Sequence, residues 1–286
     1  MTFLEALRAY RVQLVLVFPV LAVLYAGIVP DMVAQWAADE NYSHGFLVPF
    51  ISAFFVYQRW DQLKATQIQP SNLGLVVILL GLCLLLLGWL GTEYFTMRSS
   101  LVVLLCGMTL YWFGIQVFKI LALPLLFLFL MIPIPYIIYD AAAFPLKLFV
   151  TEISVATLKL LGVIVWHEGN IIMFPNTVLE VADACSGLRS IMSLLALAVA
   201  FAFLTQKSHI KKTILIASAI PIAVVTNAMR VIVTGFLAQY WGAQVAEGFF
   251  HDFAGFAVFA VAMVLLLSLG GLLSLFGGKA ERTGEK

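Results

Sequence analysis

Residues 73–90, LGLVVILLGLCLLLLGWL, run for eighteen positions without a charged side chain. As an α-helix this stretch is about 27 Å long, close to the ~30 Å hydrocarbon core of a bilayer. Similar apolar runs lie at about 12–29, 99–113, 120–138, 187–204, 214–237 and 253–276, with a shorter one at 46–57. With 63% of residues hydrophobic and 11% charged, a water-soluble fold has too little polar surface to stay dispersed. Inside lipid every backbone N–H and C=O needs an internal partner, which selects helices. The expected fold is therefore all-α and polytopic, with about eight transmembrane helices. Lys147, Glu152 and Lys159 interrupt the apolar pattern of 141–161, as in a helix lying in the membrane interface. The expected organisation is one membrane domain, 1–278, followed by a polar cytoplasmic tail, 279–286. Arg8 and Arg11 precede the first apolar run, but no A-x-A-like site follows it, so that run reads as an uncleaved anchor.

The near-zero net charge of +1 excludes a basic nucleic-acid binder, and no Gly-rich phosphate loop is present. Loop charges set the orientation. With the N-terminus in the cytoplasm, eleven of the 16 Lys and Arg fall on the inner side, among them Arg8, Arg11, Arg59, Lys119 and Lys207. Both termini then face the cytoplasm. The stretch 162–190 faces the periplasm across a bacterial inner membrane.

That stretch, GVIVWHEGNIIMFPNTVLEVADACSGLRS, is the one long passage that is neither a clean span nor a short link. Two β-rich runs, 163–166 and 171–174, flank His167-Glu168-Gly169-Asn170, and Pro175-Asn176 leads into a third at 178–181. A small two- or three-stranded β element is expected, ending at Asp183-Ala184-Cys185-Ser186-Gly187, where a long apolar helix begins. A cysteine at a helix start sits where backbone N–H groups and the helix dipole favour the thiolate. The plainer reading is a buried structural thiol. Cys83 and Cys106 lie inside apolar runs, so Cys185 has no evident disulfide partner.

Helical rise gives depth. Cys185 precedes Lys207 by 22 residues, roughly 33 Å, and Arg230 follows Ile214 by 16, about 24 Å. His251 precedes the last span, again at the outer boundary. Arg189 follows Cys185 by one turn and Asn227 precedes Arg230 by one turn, each on its neighbour's helix face. An arginine within an apolar helix costs about 2.5–3.5 kcal/mol on insertion scales, which makes function its default reading and snorkelling the alternative. For His251 the alternative is an ordinary interfacial histidine. A thiol, a guanidinium and an imidazole at one level suit nucleophilic acyl transfer. The cations stabilise the thiolate, and His251 can protonate a leaving amine. Arg230 has no accessible neutral form, so its work is to hold the thiolate or a tetrahedral oxyanion. Cys185, His167, His251 and Asp183 could supply metal donors, but no tight ligand spacing joins them, and neither metal nor cofactor is expected.

Four motifs, in order, resemble the exosortase/archaeosortase family: Tyr42-Ser43-His44-Gly45-Phe46-Leu47-Val48-Pro49, Ala184-Cys185-Ser186-Gly187-Leu188-Arg189-Ser190, Asn227-Ala228-Met229-Arg230-Val231, and His251 with Gly255 and Phe259. Asp183 stands where the family often carries Glu. The resemblance implies a membrane protease/transpeptidase with Cys185 as nucleophile and Arg230 and His251 completing the catalytic set. By their positions beside these residues, Arg189 as a second cation, Asn227 as an orienting group for Arg230, and Asp183 are read as supporting. It also implies substrates with C-terminal Pro-Glu-Pro sorting signals (PEP-CTERM tails), an acceptor nucleophile of unknown identity and an association with exopolysaccharide production. The competing readings are a transporter or exopolysaccharide-export component, with Arg230 and His251 lining a path, and a non-enzymatic scaffold. A transporter should carry broken helices or polar groups near the midplane.

Overall fold

The computed structural model describes residues 1–175, 178–181, 188–241 and 249–275. They are mostly helical, with one small sheet, and the chain divides after Pro135 into two compact units. Among the described residues, five helices are long and apolar enough to cross a membrane, or six if the bent pair Phe3–Ala9 and Arg11–Leu24 (69°) is one span. This is fewer than the eight expected from the sequence, and two elements account for much of the difference. Leu47–Gln58 has only 12 residues, about 18 Å and short of the core thickness. Tyr94–Met131 counts as one 38-residue segment where two spans were expected. If straight it would measure about 57 Å, nearly twice the core, but Gly114 breaks it.

In the first unit the helices are α1 (Phe3–Ala9), α2 (Arg11–Leu24), α3 (Ile28–Ala38), α4 (Leu47–Gln58), α5 (Trp60–Ala65), α6 (Leu73–Leu90) and α7 (Tyr94–Phe127). Thr2 and Glu5 form a capping box at the start of α1, and Glu93 caps α7 by accepting from the N–H groups of Phe95 and Thr96. Gly114 has φ +81 and ψ −177, a backbone that disfavours any L side chain, and pairs with Gln69 in the linker before α6. A Cβ there would run into the Gln69 carbonyl. The glycine thus divides α7 into arms 94–113 and 115–127.

The second arm ends in a 3-10 turn, Leu128–Met131, followed by Ile132-Pro133-Ile134-Pro135. The switch turns the Leu128 N–H to Leu125 and Leu126, which leaves the Pro124 carbonyl without its usual donor. Pro133 and Pro135 have no N–H to offer the carbonyls behind them. Side chains take over. Ser52 Oγ donates to the Pro124 carbonyl (2.8 Å), Trp36 Nε1 to Met131 (2.8 Å) and Tyr42 Oη to Ile134 (3.1 Å). His44 Nε2 lies 3.0 Å from the Leu130 carbonyl, a contact that requires the Nε2–H tautomer. Gly45 is dictated by the same assembly, since a Cβ there would stand 2.5 Å from Trp36 Nε1. The Tyr42–Pro49 motif is, in its first half, a clamp on a broken helix end.

The second unit contains α8 (Tyr136–Leu160), the strands β1 (Trp166–Glu168), β2 (Ile171–Met173) and β3 (Val178–Glu180), then α9 (Leu188–Thr205), α10 (His209–Trp241) and α11 (Phe249–Leu275). The expected interfacial helix is part of α8, which starts five residues earlier and by length and mean hydropathy also qualifies as a span. The sheet is antiparallel in the order β1-β2-β3. Its first strand lies later than the sequence suggested: His167 and Glu168 belong to β1, pairing with Ile172 and Ile171, and only Gly169-Asn170 turn. The reason is local. Gly169 takes φ +58, the first position of a two-residue hairpin turn, and no non-glycine residue of the hairpin needs a positive φ. Asn170 then ties in β3, its amide donating to the Val181 carbonyl (3.1 Å) while its own carbonyl accepts from the Val181 N–H (2.8 Å). Val163, Val165, Ile172, Phe174 and Val181 bury one side of this element against Val150, Val155 and Leu158 of α8 and Ala228 and Val231 of α10.

Candidate active site

Arg230 and Asn227 sit on α10, on a stripe that begins with Leu215, Ala219 and Ala223. At 3.6 residues per turn these positions share one face. Leu215, Ala219 and Ala223 pack with Leu194, Ala198 and Ala202 of α9 and Ala262 and Leu266 of α11, all fully buried. Lipid offers no hydrophobic drive for helices to associate, so packing of small residues that let backbones approach is what holds them. Along α10 the stripe then changes character. Thr226 and Asn227 are each 1% exposed and Arg230 8%, the polar continuation of an alanine seam. Thr226 satisfies its hydroxyl locally on the Ile222 carbonyl (2.9 Å).

The guanidinium of Arg230 faces α11. A Cβ on Gly255 would stand 3.6 Å from Nη2 and 3.8 Å from both Cζ and Nη1. Near-equal distances to three guanidinium atoms mean that the planar group lies across the glycine rather than pointing at it. Gly255 is thus the floor beneath Arg230. His251 occupies the helical position one turn earlier on the same stripe of α11.

Two further contacts fix the register. At the far ends of α9 and α11, Gln206 Nε2 donates to the Gly270 carbonyl (2.9 Å, buried), and the Phe201 ring covers Gly270. The C-terminal ends of the two helices therefore meet, and they run parallel. Carried up both helices at equal rise, the Gln206–Gly270 pairing sets Ala198 level with Ala262 and Ala202 level with Leu266, pairs that share the buried core. It sets Leu188, the first residue of α9, level with position 252. Arg230 lies level with Gly255, about one helical turn deeper than His251. The first turns of α9 and α11 and the polar end of the α10 stripe thus share one layer of the unit.

The residues singled out in the sequence fall differently against this frame. Arg230 and Asn227 are brought together, buried. Arg189 and His251 are helical positions in the first turns of α9 and α11. Cys185 and Asp183 lie outside the described residues; Cys185 precedes Leu188 by three positions in the chain. One placement changes: His251 belongs to α11 itself rather than preceding it, because the helix starts at Phe249. His167 is exposed on β1, with Nδ1 3.3 Å from the Gly169 carbonyl of its own turn. Ser154 was not anticipated. This fully buried residue of α8 donates to the Ala228 carbonyl (3.5 Å) and joins α8 to the Arg230 segment of α10. A hydroxyl at helical spacing on a mixed face gave no signal of it.

A model of the transmembrane exosortases matches residues 36–268, from the clamp through α9, α10 and most of α11. The chain belongs to the transmembrane exosortase family. The match takes in Tyr42, Cys185, Arg230, His251 and Gly255, so the motifs of this exosortase-family chain all fall within the family region. It is a multi-pass membrane protein. No curated protein and no solved structure matches the chain.

Proposed function

We propose that the chain is a cysteine protease/transpeptidase of the bacterial inner membrane that cleaves C-terminal sorting signals of the PEP-CTERM type on the periplasmic side. The observation that carries the reading is the register of α9, α10 and α11. It sets the start of the helix that follows Cys185 level with the His251 turn, with the Arg230 guanidinium one turn beneath. In this reading the Cys185 thiolate attacks the scissile carbonyl, and the carbonyl π electrons move onto oxygen. Arg230, always cationic, stabilises the thiolate or this oxyanion. Collapse of the tetrahedral intermediate breaks the C–N bond. His251 gives the leaving amine its proton, and a thioester on Cys185 remains. Water or an acceptor amine then attacks the thioester and returns the thiol. Asn227, one turn below Arg230, and Asp183 and Arg189, on either side of Cys185 in the chain, are supporting residues. No step uses a metal or cofactor.

Acid-quenched enzyme mixed with a sorting-signal substrate should show a thioester adduct on the Cys185 peptide by intact-protein and peptide mass spectrometry. Cys185→Ala should reduce processing by at least about 10³-fold, as loss of a nucleophile does. Full turnover by Cys185→Ala would overturn the reading and favour a transporter.

A further inference from the structure

The first unit holds a second polar site, separate from any residue named above for acyl transfer. Where α4 hands over to α5, where the linker enters α6 and where α7 restarts after Gly114, the chain forms an open cleft of about 500 Å³. Arg59 and Lys119 line it together with Gln62, Gln67, Gln69 and Gln116. Its lining contains two cations and four primary amides, and no carboxylate. The acidic side chain next along the chain, Asp61, is paired with Lys64 at 3.2 Å. Arg59 is held in place, Nη1 donating to the Phe55 carbonyl (3.1 Å) and its Cζ lying 5.7 Å from the centre of the Phe55 ring. The Gln69–Gly114 pairing holds the second arm of α7, with Gln116 and Lys119, against the linker.

We propose that this cleft binds an anionic phosphoryl group, the phosphodiester of an acidic phospholipid headgroup being the form that fits best. A guanidinium fork and an ammonium are the donors that phosphate oxygens take, and amide N–H₂ groups suit the remaining oxygens and the headgroup hydroxyls. The volume is generous for inorganic phosphate and suits a substituted phosphodiester. Phe54, Tyr57 and Ile115, on the same helices, are exposed apolar surface on which acyl chains can lie. The sequence's charge bias also assigns Arg59 and Lys119 to the cytoplasmic side, where anionic lipids give the membrane its negative surface potential. The inference does not depend on the proposed acyl-transfer chemistry.

The test uses the full chain in nanodiscs of phosphatidylcholine, with or without one part in five phosphatidylglycerol, and native mass spectrometry of retained lipid. Phosphatidylglycerol should be retained preferentially by the wild type, and Lys119→Gln should lower its occupancy about 10-fold, the size of one lost charge-assisted hydrogen bond. Lys119 is exposed, so this single change leaves the fold intact; Arg59→Gln/Lys119→Gln should lower occupancy further. A parallel arm titrates inorganic phosphate into the phosphatidylcholine discs and follows the unfolding temperature. A phosphate response lost in Lys119→Gln, with lipid retention unchanged, would identify a soluble phosphoryl ligand. Equal lipid retention by wild type and both variants, together with no Lys119-sensitive phosphate response, would overturn the proposal.

Discussion

Among the residues whose burial is described, each unit buries one arginine within an apolar helix, and the two are handled differently. Arg98 of α7 is 6% exposed; its Nη1 donates to the Gln35 side chain at 2.7 Å and its Cζ lies 5.5 Å from the centre of the Tyr94 ring. It ties α3 to α7, as Trp36, Tyr42 and His44 tie their own segment to the broken end of α7. Arg230 is 8% exposed and lies over the Gly255 backbone of α11, a surface with no side chain. Burial of a charge in a membrane protein is therefore not itself a mark of function. What distinguishes the two is the surface each guanidinium meets on a facing helix: the Gln35 side chain of α3 for Arg98, and the Gly255 backbone of α11 for Arg230.

The comparison breaks most easily at Arg230. Arg230→Lys keeps the charge but loses the planar fork, so processing should fall about 10²–10³-fold, the range for a lost oxyanion donor. The unfolding temperature should stay near that of the wild type. Near-normal processing by Arg230→Ala at matched protein levels would make Arg230 a structural residue like Arg98 and erase the contrast. Arg98→Met should show the opposite pattern. Its loss leaves Gln35 without its donor and should cost about 1–3 kcal/mol in detergent unfolding, with processing per folded molecule retained.

Gly255 sharpens the comparison. A Cβ at 3.6 Å is ordinary van der Waals contact, so Gly255→Ala should be tolerated. Gly255→Leu should push the guanidinium aside and lower processing about 10-fold or more, since misplacement by an ångström costs up to ~10². Equal activity in the two variants would show that the position of Arg230 over α11 does not matter.

The smallest effect belongs to the clamp. Burial of His44 depresses its pKa below 6.5 despite the hydrogen bond to Leu130. The unfolded chain then binds the proton more readily, so stability rises with pH. The His44 contribution is complete above the unfolded pKa and is lost as pH falls below about 6.5 through the folded value. The unfolding temperature should drop between pH 7.5 and 5.5, and less so in His44→Gln, whose amide can still donate to the Leu130 carbonyl. A profile identical in the two proteins would remove His44 from the clamp's energetics.

The sequence by itself determined the helical membrane class, because eighteen uncharged apolar residues such as 73–90 leave the backbone no other way to satisfy its hydrogen bonds in lipid. It also determined the β element and its Gly169 turn, since these signals are local. The residue types of the candidate site were legible from chain order and helical rise. Three-dimensional packing decided the rest. The apolar run at 99–113 ends next to the break at Gly114, but the sequence could not show that the two arms form one segment or that Gly114 pairs with Gln69, 45 residues earlier. The motif at Tyr42–Gly45 looked like a signature and is, in its structure, a set of donors for carbonyls at and just beyond the broken end of α7, the Leu130 carbonyl among them because Pro133 has no N–H to give it. Whether Arg230 meets lipid headgroups or another helix was equally open in the sequence. The alanine seam and the Gln206–Gly270 bond decide it, by setting the register that lays the guanidinium across Gly255.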